Sequence, residues 1–348
     1  MKKRIAALLL LLSLIILPLT ACKGDTAPKE KSKIYYLYFD TVCTVTDYSG
    51  LSEEDFSTLC TLIEDELMRY HRLFDIYNSY SGVTNICDIN AAGGESVAVS
   101  DELIDFLLYA KEIYTLTGGE VNIALGTVLA LWHDEREAAS LNPEGARLPD
   151  AEKLETLSHH TDIDKLLIDK AGGTVRLLDP NMRLDVGALG KGYAAKKIIE
   201  LLEERGYTSV LLNLGGNVSA VGTKWGGAPF VAGVRNPAPQ SSLDRYVATL
   251  DIIDASLSTS GDYERFYTVG GVDYHHIIDK DTLMPSDTGF RSVTVLGPDP
   301  AVTDALSTAL FCLSFDEGRE LLSSISDYEA FWIFDDGSTD KTDGFVTK

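Results

Sequence analysis

Leu103, Phe106, Leu107, Ala110 and Ile113 recur at helical spacing behind Ser100, and this pattern predicts a helix over about 101–116. Phe56, Leu59, Ile63, Leu67 and Tyr70 repeat the spacing behind Ser52, a candidate N-cap with Asp55 three residues on. Residues 34–48, IYYLYFDTVCTVTDY, are rich in β-branched and aromatic side chains and predict a strand. KLLIDKAGGTVRLLD (165–179) and RFYTVGGVDYHHIID (265–279) predict hairpins around Gly172-Gly173 and Gly270-Gly271. Between them the pattern gives a helix at 192–205 and strands near 208–213, 229–234 and 246–253. A strong helix follows at about 300–313, and the chain closes with a strand at 330–334. Helices and strands alternate irregularly, with several hairpins. That order predicts an α+β fold, a single mixed domain of hairpin-rich sheets and packed helices, rather than a doubly wound parallel sheet. No linker divides residues 34–348, which read as one domain.

The first 33 residues break the pattern. MKKR is a basic start, and the apolar run IAALLLLLSLIILPLT (5–20) is short for a spanning helix and is broken by Pro18 and Thr20. Leu19-Thr20-Ala21-Cys22 resembles a bacterial lipobox, so residues 1–21 are expected to be a cleaved lipoprotein signal and Cys22 the lipidated N-terminus. KGDTAPKEKSK (23–33) has no packing face, and 22–33 is expected to be a polar tether. The protein is therefore expected outside the cell, anchored by lipid to the outer face of the cytoplasmic membrane.

Charge narrows the partners. With 30 basic and 53 acidic residues the chain carries −23, which repels nucleic acid. An anionic small ligand would need local cations or a metal. Cys43, Cys60, Cys87 and Cys312 each sit in an apolar setting and match no metal-binding spacing, so buried free thiols are expected.

Candidate chemistry begins at RLDVGALGKGYAAKKIIE (183–200). Leu184-Asp185-Val186 reads as the end of a strand, with a helix starting near Lys191. Gly187, Gly190 and Gly192 bare the junction, and amide groups at a helix start beside a lysine suit an anion such as a phosphate. The spacing is neither a Walker A loop nor a GxGxxG fingerprint, and a glycine-rich turn with a solvated lysine is the plain alternative. In PDPAVTDALSTALFCL (298–313) Asp299 is a candidate N-cap and Pro300 the first helical residue. Asp304 and Thr308, four apart on one face, are hard oxygen ligands suited to Mg²⁺. The alternative is an Asp near a helix N-terminus and a Thr in the core. NLGGN (213–217) predicts a tight turn, and LSTSGDYER (257–265) a hydroxyl-rich turn leading into a strand. His275 and His276 are adjacent on a strand and point to opposite faces, so they cannot share one metal.

The ordered set LDVGALGKGYAA, NLGGN, GVRNP, STSGDYE, HHIID and TDALSTAL resembles the flavin transferase (ApbE) family, the FAD:protein FMN transferases, over about 36–335. The resemblance implies Mg²⁺-dependent cleavage of the FAD pyrophosphate. FMN passes through a phosphoester bond to a threonine of an acceptor flavoprotein, in an Asp-x-x-Ser-Gly-Ala-Thr type motif, and AMP leaves. It implies metal ligation by the main-chain carbonyl of Ala188 and the side chains of Asp304 and Thr308. It implies contacts to FAD from Thr41, Tyr77, Glu120, Val121, Asn122, Asp185, Lys191 and His276, with Tyr77 covering the flavin ring. Asp304, Asp185 and Lys191 would carry the catalysis, with either carboxylate as the base.

Two segments depart from the family pattern. Phe39-Asp40-Thr41 stands where Met-Gly-Thr is usual, and Gly118-Gly119-Glu120-Val121-Asn122 where Gly-Gly-Ala-Phe-Asp is usual. Both bear on flavin orientation more than on metal chemistry. They motivate a rival, a non-catalytic flavin-binding lipoprotein. A second rival is an FAD pyrophosphatase that releases FMN and AMP to water. A substrate-binding lipoprotein for transport fits the lipobox but explains neither the glycine–lysine junction nor the TDALST helix.

Overall fold

A computed structural model describes residues 27–348. The signal segment and Cys22 lie outside the described residues. In chain order the elements begin with strands β1 (Lys31–Tyr38) and β2 (Thr41–Asp47) and helices α1 (Glu53–Phe74) and α2 (Ile86–Ala91). Strand β3 (Val97–Ala98) and helices α3 (Asp101–Leu116), α4 (Gly126–Leu141) and α5 (Ala151–Ser158) follow. Next come β4 (Leu166–Asp169), β5 (Thr174–Leu177), α6 (Gly190–Glu204), β6 (Ser209–Leu214), β7 (Asn217–Gly222), β8 (Phe230–Arg235) and β9 (Tyr246–Ile252). The chain continues through β10 (Ser256–Gly261), β11 (Phe266–Val269), β12 (Val272–His275) and β13 (Phe290–Gly297). Helices α7 (Pro300–Cys312) and α8 (Phe315–Ser323) and strands β14 (Glu329–Phe334) and β15 (Thr339–Lys341) complete it.

The main sheet runs β1-β2-β6-β7-β10-β13-β14-β15, and its pairings are antiparallel. Strand alternation sorts its two faces. Cys43, Val45, Val210 and Leu212 point to one side, where Leu59, Ile63 and Leu67 of α1 and Ala194 and Ile198 of α6 bury them. Val293 and Val295 meet Leu306 and Leu310 of α7. On the opposite side the β8–β9 hairpin lays Phe230, Val234, Leu250 and Ile252 over Ala220, Leu257, Phe331 and Ile333. The fold is α+β, and both predicted glycine hairpins form, as β4–β5 and β11–β12. Helix α3 starts at Ser100, whose side chain accepts the Leu103 amide.

Four expectations are corrected. Residues 34–48 form a hairpin rather than one strand: Phe39 and Asp40 adopt φ of 54° and 51° and turn the chain between β1 and β2. That turn is favoured by Gly, Asn or Asp, so Asp40 suits it and Phe39 does not. The Phe39 amide donates to His71 Nδ1 at 3.3 Å, and the two rings meet edge to face at 5.9 Å. Lys31–Lys33, expected in the tether, already pair with Val45–Asp47. Leu184-Asp185-Val186 is extended but joins no ladder. Its partners are the Asn90 side chain, which bonds both the amide (2.7 Å) and the carbonyl (2.9 Å) of Leu184, and the Ile123 carbonyl, which accepts the Asp185 amide at 2.8 Å. Of the expected hydroxyl-rich turn, 257–261 lie in strand β10, paired with β13 along its length, and only 262–265 turn, leading into β11.

The pattern also left α2, α4, α5, α8, β3, β7, β13 and β15 unassigned. The described cysteines are free; Cys43 and Cys312 are buried, Cys60 and Cys87 half-buried.

Candidate active site

The glycine junction brings α6 against two other helices. A side chain at Gly190 would sit 3.2 Å from the Phe74 ring of α1. At Gly192 it would meet Asp304 Cβ at 2.5 Å and the Pro300 carbonyl at 2.6 Å. These two glycines therefore serve helix packing, and only Gly187 is exposed. Its amide donates to Asp185 Oδ1 at 2.8 Å, which fixes the carboxylate at the mouth of the turn.

Close packing has a chemical consequence. The Gly192 amide, one turn beyond Ala188, donates to Asp304 Oδ2 at 2.8 Å, whereas the Tyr193 amide closes on the Leu189 carbonyl at 3.0 Å. The Ala188 carbonyl is thus left without a backbone donor among the described residues. Asp304 is buried, at 5% exposure, and its other oxygen has no hydrogen-bond partner among the described residues. Thr308 Oγ1 lies 3.1 Å from Ser260 Oγ on β10. Lys191 spans the group, with Nζ 3.4 Å from the Gly187 carbonyl and 3.9 Å from Asp304 Oδ2. The sequence-predicted Ala188, Lys191, Asp304 and Thr308 are thereby gathered at one α6–α7–β10 junction.

These oxygens suit a hard cation. Among the described residues no cluster of three or more His, Cys, Asp or Glu side chains could hold a metal by itself. One carboxylate, one hydroxyl and one free carbonyl fit Mg²⁺, which keeps open positions for water and substrate phosphate oxygens.

Asp185 and Tyr77 line a neighbouring cavity of about 120 Å³, together with Asn90, His133 and Arg183. Burial pushes the Asp185 carboxyl up, against the opposing pull of the Gly187 amide, His133, Arg183 and Arg136. The His276 ring has a buried Nδ1 with no partner among the described residues. Burial, followed by the positive fields of Arg265, Arg136, His275 and Lys191, lowers its pKa to about 3. His275 is used internally, with Nε2 2.9 Å from the Ser286 carbonyl.

The remaining expected contacts fall into two groups. Thr41 is half-buried at the β2 start and packs on the NLGGN turn, where a side chain at Gly215 would strike its Oγ1 at 2.4 Å. Glu120 is paired with Lys280 at 3.3 Å, and burial raises its carboxyl pKa. Val121 and Asn122 are placed otherwise than expected. Val121 is a core residue at 2% exposure. Both ends of the Asn122 amide are engaged, by the Ala124 amide (2.9 Å) and the Thr161 carbonyl (2.9 Å). Their side chains serve the fold, and only their backbones are left to meet a ligand.

Sequence reasoning missed Arg136, His133, Arg265 and Ser260. Arg265 donates to the Asp40 carbonyl at 3.0 Å and so ties the β1–β2 turn to the His276 side of the site. Ser260 was legible only as part of a hydroxyl-rich run.

Comparison with known proteins assigns this chain to one family. The ApbE family model matches residues 39–332, and the chain belongs to that family. A curated relative from Treponema pallidum, named FAD:protein FMN transferase, is 29% identical over 94% of this chain and 91% of its own length. One of the same name from Klebsiella pneumoniae is 30% identical over 77% of this chain and 79% of its own. The crystal structure of the ApbE protein from Thermotoga maritima superposes with a TM-score of 0.79 at 25% identity, covering 91% of this chain and 98% of that one.

Proposed function

We propose that the chain is an Mg²⁺-dependent FAD:protein FMN transferase. The observation that carries this reading is the Ala188–Asp304–Thr308 oxygen set beside Lys191, made available because the Gly192 amide turns from Ala188 to Asp304. The names of the curated relatives support flavin transfer as the activity.

Mg²⁺ on those three oxygens would supply Lewis-acid charge stabilisation to the transferring phosphoryl group. Lys191 binds the pyrophosphate from the opposite side of Asp304 and offsets charge building on the AMP leaving group. The acceptor threonine hydroxyl attacks the FMN-side phosphorus, the P–O bond to AMP breaks, and the hydroxyl proton goes to a carboxylate. Asp185 is the better acceptor of that proton: its raised carboxyl pKa makes it the stronger base, whereas Asp304 is committed to Gly192 and the cation. Tyr77 offers its exposed ring to the flavin, and His276 presents a neutral imidazole to the nucleotide. The acceptor is a flavoprotein with an Asp-x-x-Ser-Gly-Ala-Thr type segment. The lipobox ending at Cys22 supports a lipid-anchored enzyme on the outer face of the cytoplasmic membrane; labelling with a radioactive fatty acid should be lost in Cys22→Ser.

The test is to incubate the purified chain with FAD, Mg²⁺ and an acceptor bearing that segment, then view flavin fluorescence on a denaturing gel. A fluorescent acceptor band that EDTA abolishes is expected. Free FMN and AMP without a band would favour the hydrolase instead, and intact FAD would contradict both.

A further inference from the structure

Helix α4 brings to the site a residue that none of the motifs contains, His133, and holds Arg136 beside it. His133 lines the cavity shared with Tyr77 and Asp185, and its ring lies 5.1 Å from the Tyr77 ring at 35°. Arg136, one turn on, has its guanidinium 2.9 Å from His133 Nδ1. Arginine only donates, so His133 accepts at Nδ1 and carries its hydrogen on Nε2. This bond fixes both side chains: the imidazole props Tyr77, and the guanidinium is held with its other donors free.

Arg136 makes no direct salt bridge among the described residues, although its field reaches the Asp185 carboxylate. In a chain with 53 acidic against 30 basic residues, a half-buried arginine normally finds a carboxylate. Among the described residues none lies within ion-pair distance of it. Its positive charge instead converges with those of Arg265 and Lys191 on the His276 imidazole. Lys191 and Arg265 each have a carboxylate in reach, Asp304 at 3.9 Å and Asp40 at 3.4 Å. Arg136 has only the field of Asp185 to oppose its charge, so its guanidinium keeps hydrogen-bond donors for an anionic ligand. Lys191 stands on the α6–α7 side, next to Asp304, whereas Arg136 is bonded to the cavity-lining His133 and its field acts on Tyr77 and Asp185.

We propose that Arg136, oriented by His133, is a substrate-binding residue that holds the phosphate of the FMN half of FAD from the flavin side, independently of the metal. The proposal rests on the flavin-transferase reading and assigns within it which half of the dinucleotide this arginine grips. A planar guanidinium suits a phosphate, which it can meet with two parallel hydrogen bonds. Such a contact would hold the FMN phosphate in place while its bond to AMP is exchanged for one to the acceptor.

The test separates phosphate from ring. FMN and riboflavin share the isoalloxazine and differ by the phosphate. Each is titrated by fluorescence quenching into the purified chain in EDTA, for wild type, Arg136→Gln and Arg136→Lys. Wild type is expected to bind FMN more tightly than riboflavin. Arg136→Gln should weaken FMN about tenfold, leave riboflavin within about twofold, and so report its own intact fold; Arg136→Lys should restore part of the loss. Equal FMN affinity in wild type and Arg136→Gln would overturn the proposal while leaving the transferase reading in place. So would an equal loss for both ligands, which would mark Arg136 as a support for Tyr77. A wild type that binds neither ligand would overturn the proposal and the flavin reading together.

Discussion

The amide of Gly192 donates to the carboxylate of Asp304 at 2.8 Å, across 112 positions of sequence. This bond ties the start of α6 to the second turn of α7. It orients the buried carboxylate and frees the Ala188 carbonyl in one stroke. The proposed metal ligands, from the turn before α6 and from α7, are brought into register by a glycine whose missing side chain lets the backbones approach.

Gly192→Ala should therefore damage fold and site together. Its methyl would lie 2.5 Å from Asp304 Cβ, 2.6 Å from the Pro300 carbonyl and 2.9 Å from Ala301 Cα, with no flexible side-chain end to give way. Overpacking of this kind costs about 1–3 kcal/mol. A lower urea midpoint with a sharp loss of flavin transfer is expected; unchanged values for both would show that the helices are not held at this distance.

Asp304→Asn separates charge from shape. The amide keeps an acceptor for Gly192, so the urea midpoint should move little. Loss of the charged metal ligand should lower transfer about a hundredfold or more at saturating FAD and Mg²⁺. A variant with wild-type activity would remove Asp304 from the metal site.

Lys191→Ala tests the cation opposite Asp304. Nζ is 3.9 Å from Asp304 Oδ2, too far for a tight pair, and the side chain is about a quarter exposed, so its removal should not unfold the chain. FAD binding should weaken about tenfold. Equal FAD affinity would leave the junction as a turn with a solvated lysine.

Acid should destabilise the fold through His276. Its folded pKa is about 3, against 6.5 for an unperturbed histidine. Between those values the unfolded chain binds more protons, so stability falls as pH drops through that window. His71 and His275 are also lowered and add the same sign. Urea midpoints at about pH 7 and about pH 5 should differ less in His276→Asn than in wild type; equal differences would place the imidazole in water.

Much of the fold was legible because its signals are local. Helix α3 announces itself through Ser100 and the buried stripe from Leu103 to Ile113, and both glycine hairpins through paired glycines. The Phe39–Asp40 turn was hidden because no glycine or asparagine marks its left-handed residues. Strand β10 was hidden because its inward residues are hydroxyls. Ser258 pairs with Thr303 at 3.0 Å and Ser260 with Ser307 at 2.9 Å, so the buried face is polar and alternation disappears. Helix α4 begins buried all round, from Gly126 to Val128, and its half-buried His133 lines the cleft with Arg136 bonded to it, which blurs the helical stripe. Asp304 and Thr308 could be picked out as candidate metal ligands because they are four apart on one helix. Arg136 could not, because its role depends on where α4 lies against Tyr77. Val121 sits in a motif position, yet its side chain is taken by the core.

The most direct measurement follows AMP release and covalently attached flavin in the same reaction, with wild type and Asp304→Ala, with and without EDTA. One AMP released per flavin attached to the acceptor is expected in wild type with Mg²⁺, and neither product in the variant or in EDTA. AMP accumulating with FMN left free in solution, or flavin attachment that survives both the variant and EDTA, would contradict metal-dependent transfer at this site.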